Sequence, residues 1–264
     1  MEENINHVLP HEFCNMFNKD QVTLQWENVA RTYYLQGEEG INRYLKIQPV
    51  GSFESIEVQA KKLTWLKGKL SVPEVIDYGI LGNYEYLLTL EMKGSAASDK
   101  IFRNSKDEVI ELVAKGLRRI HEVSVENCPF DNRLKYMMEI VRYNTKEGLI
   151  NSSKLNRKFG EGIVDNLLGE IEAYATEIKE DLVFSHGDYS MPNIIISNGR
   201  ISGFIDLGNC GIADRYYDLA VAEKSIIMNF GKENTDLFYR CYGIDDVDHQ
   251  RVRFFQIVEF LLWG

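Results

Sequence analysis

The sequence predicts an α+β protein, with an antiparallel sheet near the N-terminus followed by a longer, mainly helical region. Three observations carry this expectation. Strand-like runs rich in β-branched and aromatic residues succeed one another up to about residue 90. Helical periodicity dominates from Val109 onward. One further hairpin is signalled by Asn198-Gly199, because a type I′ turn needs two residues that tolerate positive φ. The 264 residues suit one large or two small domains, and a hydrophobic share of 44% supports a real core.

Taken in order, residues 12–18 form a short helix. Val22 to Trp26, Thr32 to Gln36 and Arg43 to Ile47 read as an antiparallel meander, with a glycine-containing turn at Gly37 to Gly40. Lys46, flanked by apolar residues, is either an edge lysine or one reaching into a cleft. Tyr44 shares its face, two residues away. Residues 53–68 are helical. Val75 to Gly79 and Glu85 to Leu90 are strands joined around Gly82-Asn83. Val109, Leu112, Val113, Gly116, Leu117, Ile120 and His121 recur at three- and four-residue steps and predict an amphipathic helix, with His121 as a core histidine. Residues 132–149 and 160–179 are further helical stretches. Asp214 opens a helix running to about Ile227, in which Asp214 and Asp218 act structurally, by capping and by pairing with backbone amides. A mostly buried helix, Val252 to Leu262, closes the chain.

The hairpin carries the chemistry. With a two-residue turn, Ser197 pairs with Arg200, and outward pairing places Asn193 opposite Phe204 and Met191 opposite Asp206. Alternation then puts Asn193 and Asp206 on one face, diagonal neighbours about 7–8 Å apart. An amide and a carboxylate so placed can share a hard cation, and Mg²⁺ accepts one or two protein oxygens with phosphates and water. Asp188 lies five residues before Asn193, in the loop feeding the hairpin. Its D-x-x-x-x-N spacing, followed by a later Asp, matches a phosphoryl-transfer template.

His186-Gly187-Asp188, Asn193, the run Gly203-Phe204-Ile205-Asp206-Leu207-Gly208 and the run Ala213 to Ala220 resemble the aminoglycoside phosphotransferases, relatives of choline kinase and the protein kinases. The likeness is strongest to the aminoglycoside 3′-phosphotransferases and covers nearly the whole chain. It implies a two-lobed protein-kinase-like fold, with a small N-terminal antiparallel β-sheet lobe over residues 1–93 that binds nucleotide. A larger, mainly helical lobe over residues 94–264 would carry catalysis and substrate binding. It implies that Asp188 is catalytic, that Asn193 and Asp206 hold Mg²⁺, and that Lys46 meets the α/β-phosphates of ATP or GTP. Tyr44 would stack on the nucleobase, the backbone of Leu90 and Met92 would hydrogen-bond it, and Asn28 would sit in a glycine-free loop over the phosphates. The helical carboxylate that pairs with the lysine falls by count on Gln59. Either Glu57 is the partner after a slip, which is slightly favoured, or Gln59 holds the lysine by a neutral hydrogen bond. Glu161, Asp165 and Glu259 are substrate contacts on this resemblance. Met228 and Phe260 stand where further acidic contacts are expected, which thins the clamp for a polycationic sugar.

A net charge of −10 argues against nucleic acid or an anionic membrane as the main partner and suits a cationic small molecule, an aminoglycoside on this resemblance. It suits a plain solvated surface equally. The four cysteines are scattered, no Cys-x-x-Cys occurs, and neither a signal peptide nor a membrane span is apparent. A cytoplasmic monomer is expected. The expected reaction is transfer of the γ-phosphate to a hydroxyl, the 3′-OH of an aminoglycoside, giving antibiotic resistance. Alternatives are a kinase for choline, a macrolide or another sugar, and a non-catalytic nucleotide-binding protein. A metallophosphoesterase is disfavoured, since only five histidines are present and no second His/Asp cluster lies near.

Overall fold

The structure is a computed structural model that describes residues 9–159 and 164–263. The chain forms two compact units, Met1–Gly94 with Ser202–Gly208, and Ser95–Ile201 with Asn209–Gly264.

The first unit opens with a single-turn helix α1 (His11–Cys14), then β1 (Gln21–Glu27), β2 (Arg31–Gln36), β3 (Asn42–Pro49), helix α2 (Ile56–Leu66), β4 (Val75–Leu81) and β5 (Tyr84–Leu90). The strands form one antiparallel sheet in the order β1-β2-β3-β5-β4. Side-chain alternation divides its faces. Leu45 and Ile47 of β3 join Leu9, Phe13, Phe17, Tyr33, Leu35 and Leu88 in one apolar cluster. Tyr44 and Lys46 therefore point to the other face, the two tyrosine rings Tyr34 and Tyr44 lying 5.2 Å apart there. Ser55 caps α2 through a hydrogen bond from the Val58 amide at 3.4 Å, and α2 rests on β4 and β5. Ser202–Gly208 joins this unit by donating the Phe204 amide to the Ser71 carbonyl at 2.9 Å, while Ser71 Oγ donates to the Ser202 carbonyl at 2.5 Å.

The second unit runs β6 (Ser95–Ala96), α3 (Lys106–His121), α4 (Leu134–Lys146), α5 (Ser152–Phe159), α6 (Val164–Glu177), β7 (Leu182–Ser185), β8 (Ile194–Ser197), the start of β9 (Arg200–Phe204), β10 (Gly211–Asp214), α7 (Arg215–Phe230), α8 (Thr235–Tyr242) and α9 (His249–Trp263). Helices α3 and α8 pack together, as do α7 and α9. Two small sheets, β6-β8-β9 and β7-β10, tie down both ends of the loop 186–193. Asn198 and Gly199 have φ of 51° and 69°, the double positive φ that the Asn-Gly turn requires.

The elements read from apolar spacing are present with shifted ends, while β6, β7, β10, α5 and α8 are additional to those expected. The hairpin is also shorter than expected. Asn193 ends a 3₁₀ turn, Met191–Asn193, and Asp206 lies two residues past the end of β9. Strand alternation therefore does not decide where these two side chains point. Asp206 instead has φ of 56°, a left-handed conformation that turns the chain out of strand geometry.

Candidate active site

The loop holding Asp188 is fixed by a buried network within the second unit. Asp218, on the first turn of α7, is fully buried and accepts the amides of His186 at 2.7 Å and Gly187 at 2.9 Å. His121 at the end of α3 directs Nε2 at the same carboxylate, 3.1 Å away, and its Nδ1 meets the Tyr242 hydroxyl of α8 at 2.6 Å. A carboxylate can only accept, so the His121 proton belongs on Nε2. Burial pushes the Asp218 carboxyl up, but the His121 hydrogen bond, the electrostatic pull of His121 and His186 and the His186 amide bring it net below the usual carboxylate range. The neighbouring Asp214 caps α7 by accepting the Tyr216 amide at 2.9 Å and pairs with Arg251, although burial still raises its carboxyl. Both acids are thus structural, and His121 is buried and bonded, as expected.

His186 accepts the Asp188 amide on Nδ1 at 3.3 Å, which fixes its tautomer and braces the loop. Tyr189 anchors the next position, donating its hydroxyl to the Val113 carbonyl of α3 at 2.8 Å. The Met191 amide donates to Ser225 Oγ of α7 at 2.9 Å. Within this frame Asn193 Nδ2 donates to the Asp188 carboxylate at 2.8 Å and to the Asp188 carbonyl at 3.0 Å. Both amide protons are thereby directed at Asp188, which leaves Oδ1 as the atom that can meet a cation.

The loop also needs its glycine. Gly187 has φ of 83°, and a Cβ there would stand 2.0 Å from the Asn209 carbonyl oxygen, itself held by Asn132 Nδ2 at 2.5 Å. Gly187→Ala is expected to cost about 3 kcal/mol, the sum of left-handed strain and a backbone clash. Urea unfolding checks this, and a loss under 1 kcal/mol would contradict it.

In the first unit Lys46 Nζ donates to Gln59 Oε1 of α2 at 3.1 Å. Glu54, just before the helix, lies 4.0 Å from the same ammonium and accepts Gln59 Nε2 at 3.0 Å. Glu57 is not the lysine's partner. It pairs with Lys61 at 2.7 Å on the solvent side of α2, with 61% of its side chain exposed, because residues two apart on a helix do not share a face. Lys62, one turn beyond Gln59 on the buried face, donates to the Gly208 carbonyl at 2.6 Å. It thus holds α2 to the segment carrying Asp206. Sequence reading missed both Glu54 and Lys62. For Lys62 the three-residue step from Gln59 is a usable signal.

The remaining candidates are more scattered. Asn28 lies in the exposed β1–β2 loop, its amide donating to the Ala30 carbonyl at 2.9 Å. Leu90 donates its amide to the Glu74 carbonyl at 2.9 Å, so only its carbonyl can serve a nucleobase. Met92 lies over Gly203, where a Cβ would stand 2.0 Å from the methionine Cε. Burial raises the Tyr44 phenol, with Glu91 and Tyr34 adding to the effect. Glu259 is held by Lys224 at 2.6 and 2.7 Å. Asp165 falls in α6, and Glu161 lies outside the described residues. Among the described residues no group of three or more His, Cys, Asp or Glu is placed to hold a metal, and no helix is long and apolar enough to cross a membrane.

Residues 21–255 match the family model described as the phosphotransferase enzyme family. An aminoglycoside 3′-phosphotransferase of Niallia circulans is 30% identical over 249 residues, 93% of this chain and 94% of that protein. One of Streptomyces ribosidificus is 31% identical over 269 residues, 98% of this chain and 99% of that protein. The solved structure of the Streptomyces rimosus aminoglycoside phosphotransferase APH(3″)-Id, in complex with ADP and streptomycin, superposes with a TM-score of 0.81 at 26% identity, covering 96% of this chain and 97% of that one. Its kinase-like fold is that of the five-stranded sheet and helical second unit described above. With the match spanning nearly its full length, the chain belongs to the family of aminoglycoside phosphotransferases.

Proposed function

We propose that the protein transfers the γ-phosphate of a nucleoside triphosphate to a hydroxyl of an aminoglycoside, the 3′-OH, and so confers resistance. The observation that carries this reading is the Asp188–Asn193 pair, held by a buried network and joined in sequence to Asp206. The names of the relatives support the substrate class. The ADP and streptomycin in the complex of the Streptomyces rimosus enzyme support a nucleotide donor and a cationic acceptor.

Asp188 orients the acceptor hydroxyl and takes its proton. If the transition state is loose, little base strength is needed and positioning is the main contribution. Lys46 neutralises the α/β-phosphates, and Tyr44, the Leu90 carbonyl and Met92 receive the nucleobase. The donor set fits Mg²⁺, because the Asn193 oxygen and the Asp206 carboxylate are hard oxygens and Mg²⁺ needs only one or two from the protein. When bound there, Mg²⁺ would supply neutralisation of phosphate charge. ATP serves as donor in this reading, with GTP as the competitor. Glu259, Glu161 and Asp165 are carried as acceptor contacts in this reading. The protein acts as a cytoplasmic monomer.

One observation favours a second acceptor class. Met228, where an acidic contact is expected, is 77% exposed, and Glu259 is already paired with Lys224. An acceptor with fewer amines, a macrolide or choline, therefore belongs in the test. Labelled ATP and GTP are offered with kanamycin-like, gentamicin-like, macrolide and choline acceptors. Transfer to a 3′-hydroxylated aminoglycoside is the expected result, and label reaching only another class would overturn the substrate assignment. Asp206→Ala should weaken Mg²⁺-dependent nucleotide binding by about 100-fold while leaving metal-free binding nearly unchanged, as equilibrium dialysis would read.

A further inference from the structure

We infer that Glu54, acting through Gln59, is the counter-charge that positions Lys46, in place of a carboxylate on the helix itself. This rests on the phosphotransferase reading only for the role of Lys46. The arrangement is a relay. Gln59 Oε1 accepts from the lysine at 3.1 Å and Gln59 Nε2 donates to the Glu54 carboxylate at 3.0 Å. The reverse amide orientation would set NH₂ against the ammonium and carbonyl oxygen against the carboxylate, so this orientation alone satisfies both ends. The amide is buried, 6% exposed, and both of its bonds involve a charged partner, which strengthens each.

The anion is built in rather than incidental. Glu54 immediately precedes the α2 cap residue Ser55, at the positive end of the helix dipole, where a carboxylate is favoured. Gln48 of β3 donates to the Glu54 carbonyl and to Glu85 Oε2, the latter at 2.8 Å. Glu85 Oε2 in turn accepts the Ile56 amide at 3.3 Å. Strand β3 therefore carries Lys46 and, two residues on, the side chain that fixes the backbone of the lysine's counter-charge. Gly208 packs on the same amide, a Cβ there lying 3.4 Å from Gln59 Cδ. The relay thus contacts the segment that follows Asp206.

A lysine held by a neutral amide alone would lack a fixed anion to set its direction. A relayed anion orients it while leaving more of its charge for phosphate. Glu54 and Gln59 are positioning residues in this assignment.

The test measures the affinity of MgATP, kcat and KM for ATP, and the unfolding midpoint of each variant. Glu54→Gln should raise the nucleotide Kd about fivefold with kcat changed less than twofold and the midpoint nearly unmoved. Gln59→Leu should cost about tenfold, and Glu54→Gln added to it should cost less than its own fivefold, because the relay is already cut and only the direct approach of Glu54 to the ammonium, at 4.0 Å, is left to lose. The exchange Glu54→Gln with Gln59→Glu, which puts a carboxylate directly on Lys46, should recover affinity to within about threefold of the parent. Unchanged affinity in Glu54→Gln, or independent losses from the two single variants, would overturn the assignment. If the parent protein moved no phosphate to any acceptor, the functional reading would fall while these nucleotide affinities still decided the role of Glu54.

Discussion

Replacing Asp188 by alanine is expected to lower kcat by about a thousandfold or more while MgATP affinity stays within about threefold. A loose transition state asks little of the base in proton affinity, so most of this loss is positional. The carboxylate is held at 2.8 Å by Asn193 Nδ2, and the Asp188 amide is tied to His186 Nδ1 at 3.3 Å. These restraints survive in part when the carboxylate is removed, because Asn193 also donates to the Asp188 carbonyl at 3.0 Å. The loop should therefore keep its path, and the unfolding midpoint should move little. One secondary effect is expected. Without the carboxylate, the Asn193 amide loses the partner that turns Oδ1 away from Asp188, so the Mg²⁺ concentration for half-maximal nucleotide binding rises a few-fold. Turnover at the parental rate would end the assignment of Asp188, and loss of nucleotide binding would recast the residue as structural.

The same loop shows what local pattern could and could not disclose. The positive-φ turn at Asn198-Gly199 was legible because few residue pairs tolerate that backbone, and the turn has the required geometry. Extending its register to Asn193 and Asp206 was unsound. Strand alternation holds only while residues stay in the ladder, and both have left it. Helix α3 is visible as an apolar stripe, α7 from Asp214 at its start and α9 as a mostly apolar run. Helix α8 is not, because its eight residues place Phe238, Tyr239 and Tyr242 among polar neighbours in too short a window. Strands β7 and β10 have four residues each and take their stability from one another, 29 or so positions apart in the chain. The lysine relay was out of reach for a related reason. Gln59 could be counted from Trp65, but the importance of Glu54 arises from Gln48 and Glu85, on two other strands. Contacts of that range leave no periodic trace in one sequence.

Removing the Asp218 carboxylate has the largest expected effect on stability, about 3–5 kcal/mol for Asp218→Ala, because buried donors lose their acceptor together. Those donors are the His186 and Gly187 amides at 2.7 and 2.9 Å and His121 Nε2 at 3.1 Å. Asp218→Asn should cost less, about 2–3 kcal/mol, since one oxygen remains while the new NH₂ faces a donor. The pH dependence follows from the net lowering of the Asp218 carboxyl. A carboxyl depressed in the folded state contributes its stability above its unfolded value, about 3.9, and loses it as pH falls through the lower folded value. The facing titratable groups are His121 and His186, and nearby lie the buried phenols of Tyr189, Tyr217 and Tyr242, each phenol being raised by burial and neutral across this range. The stability gap between the parent and Asp218→Asn should hence shrink as pH falls below about 4. Urea titrations at pH 7, 5 and 3.5 measure it. A gap under 1 kcal/mol at pH 7, or one that does not shrink between pH 5 and 3.5, would show that Asp218 does not anchor the loop as a charged acceptor. A further readout separates anchoring from general destabilisation. At temperatures where parent and variant are both fully folded, kcat should still fall at least tenfold in Asp218→Asn, because one of the two amides that position Asp188 then faces an NH₂ instead of an acceptor.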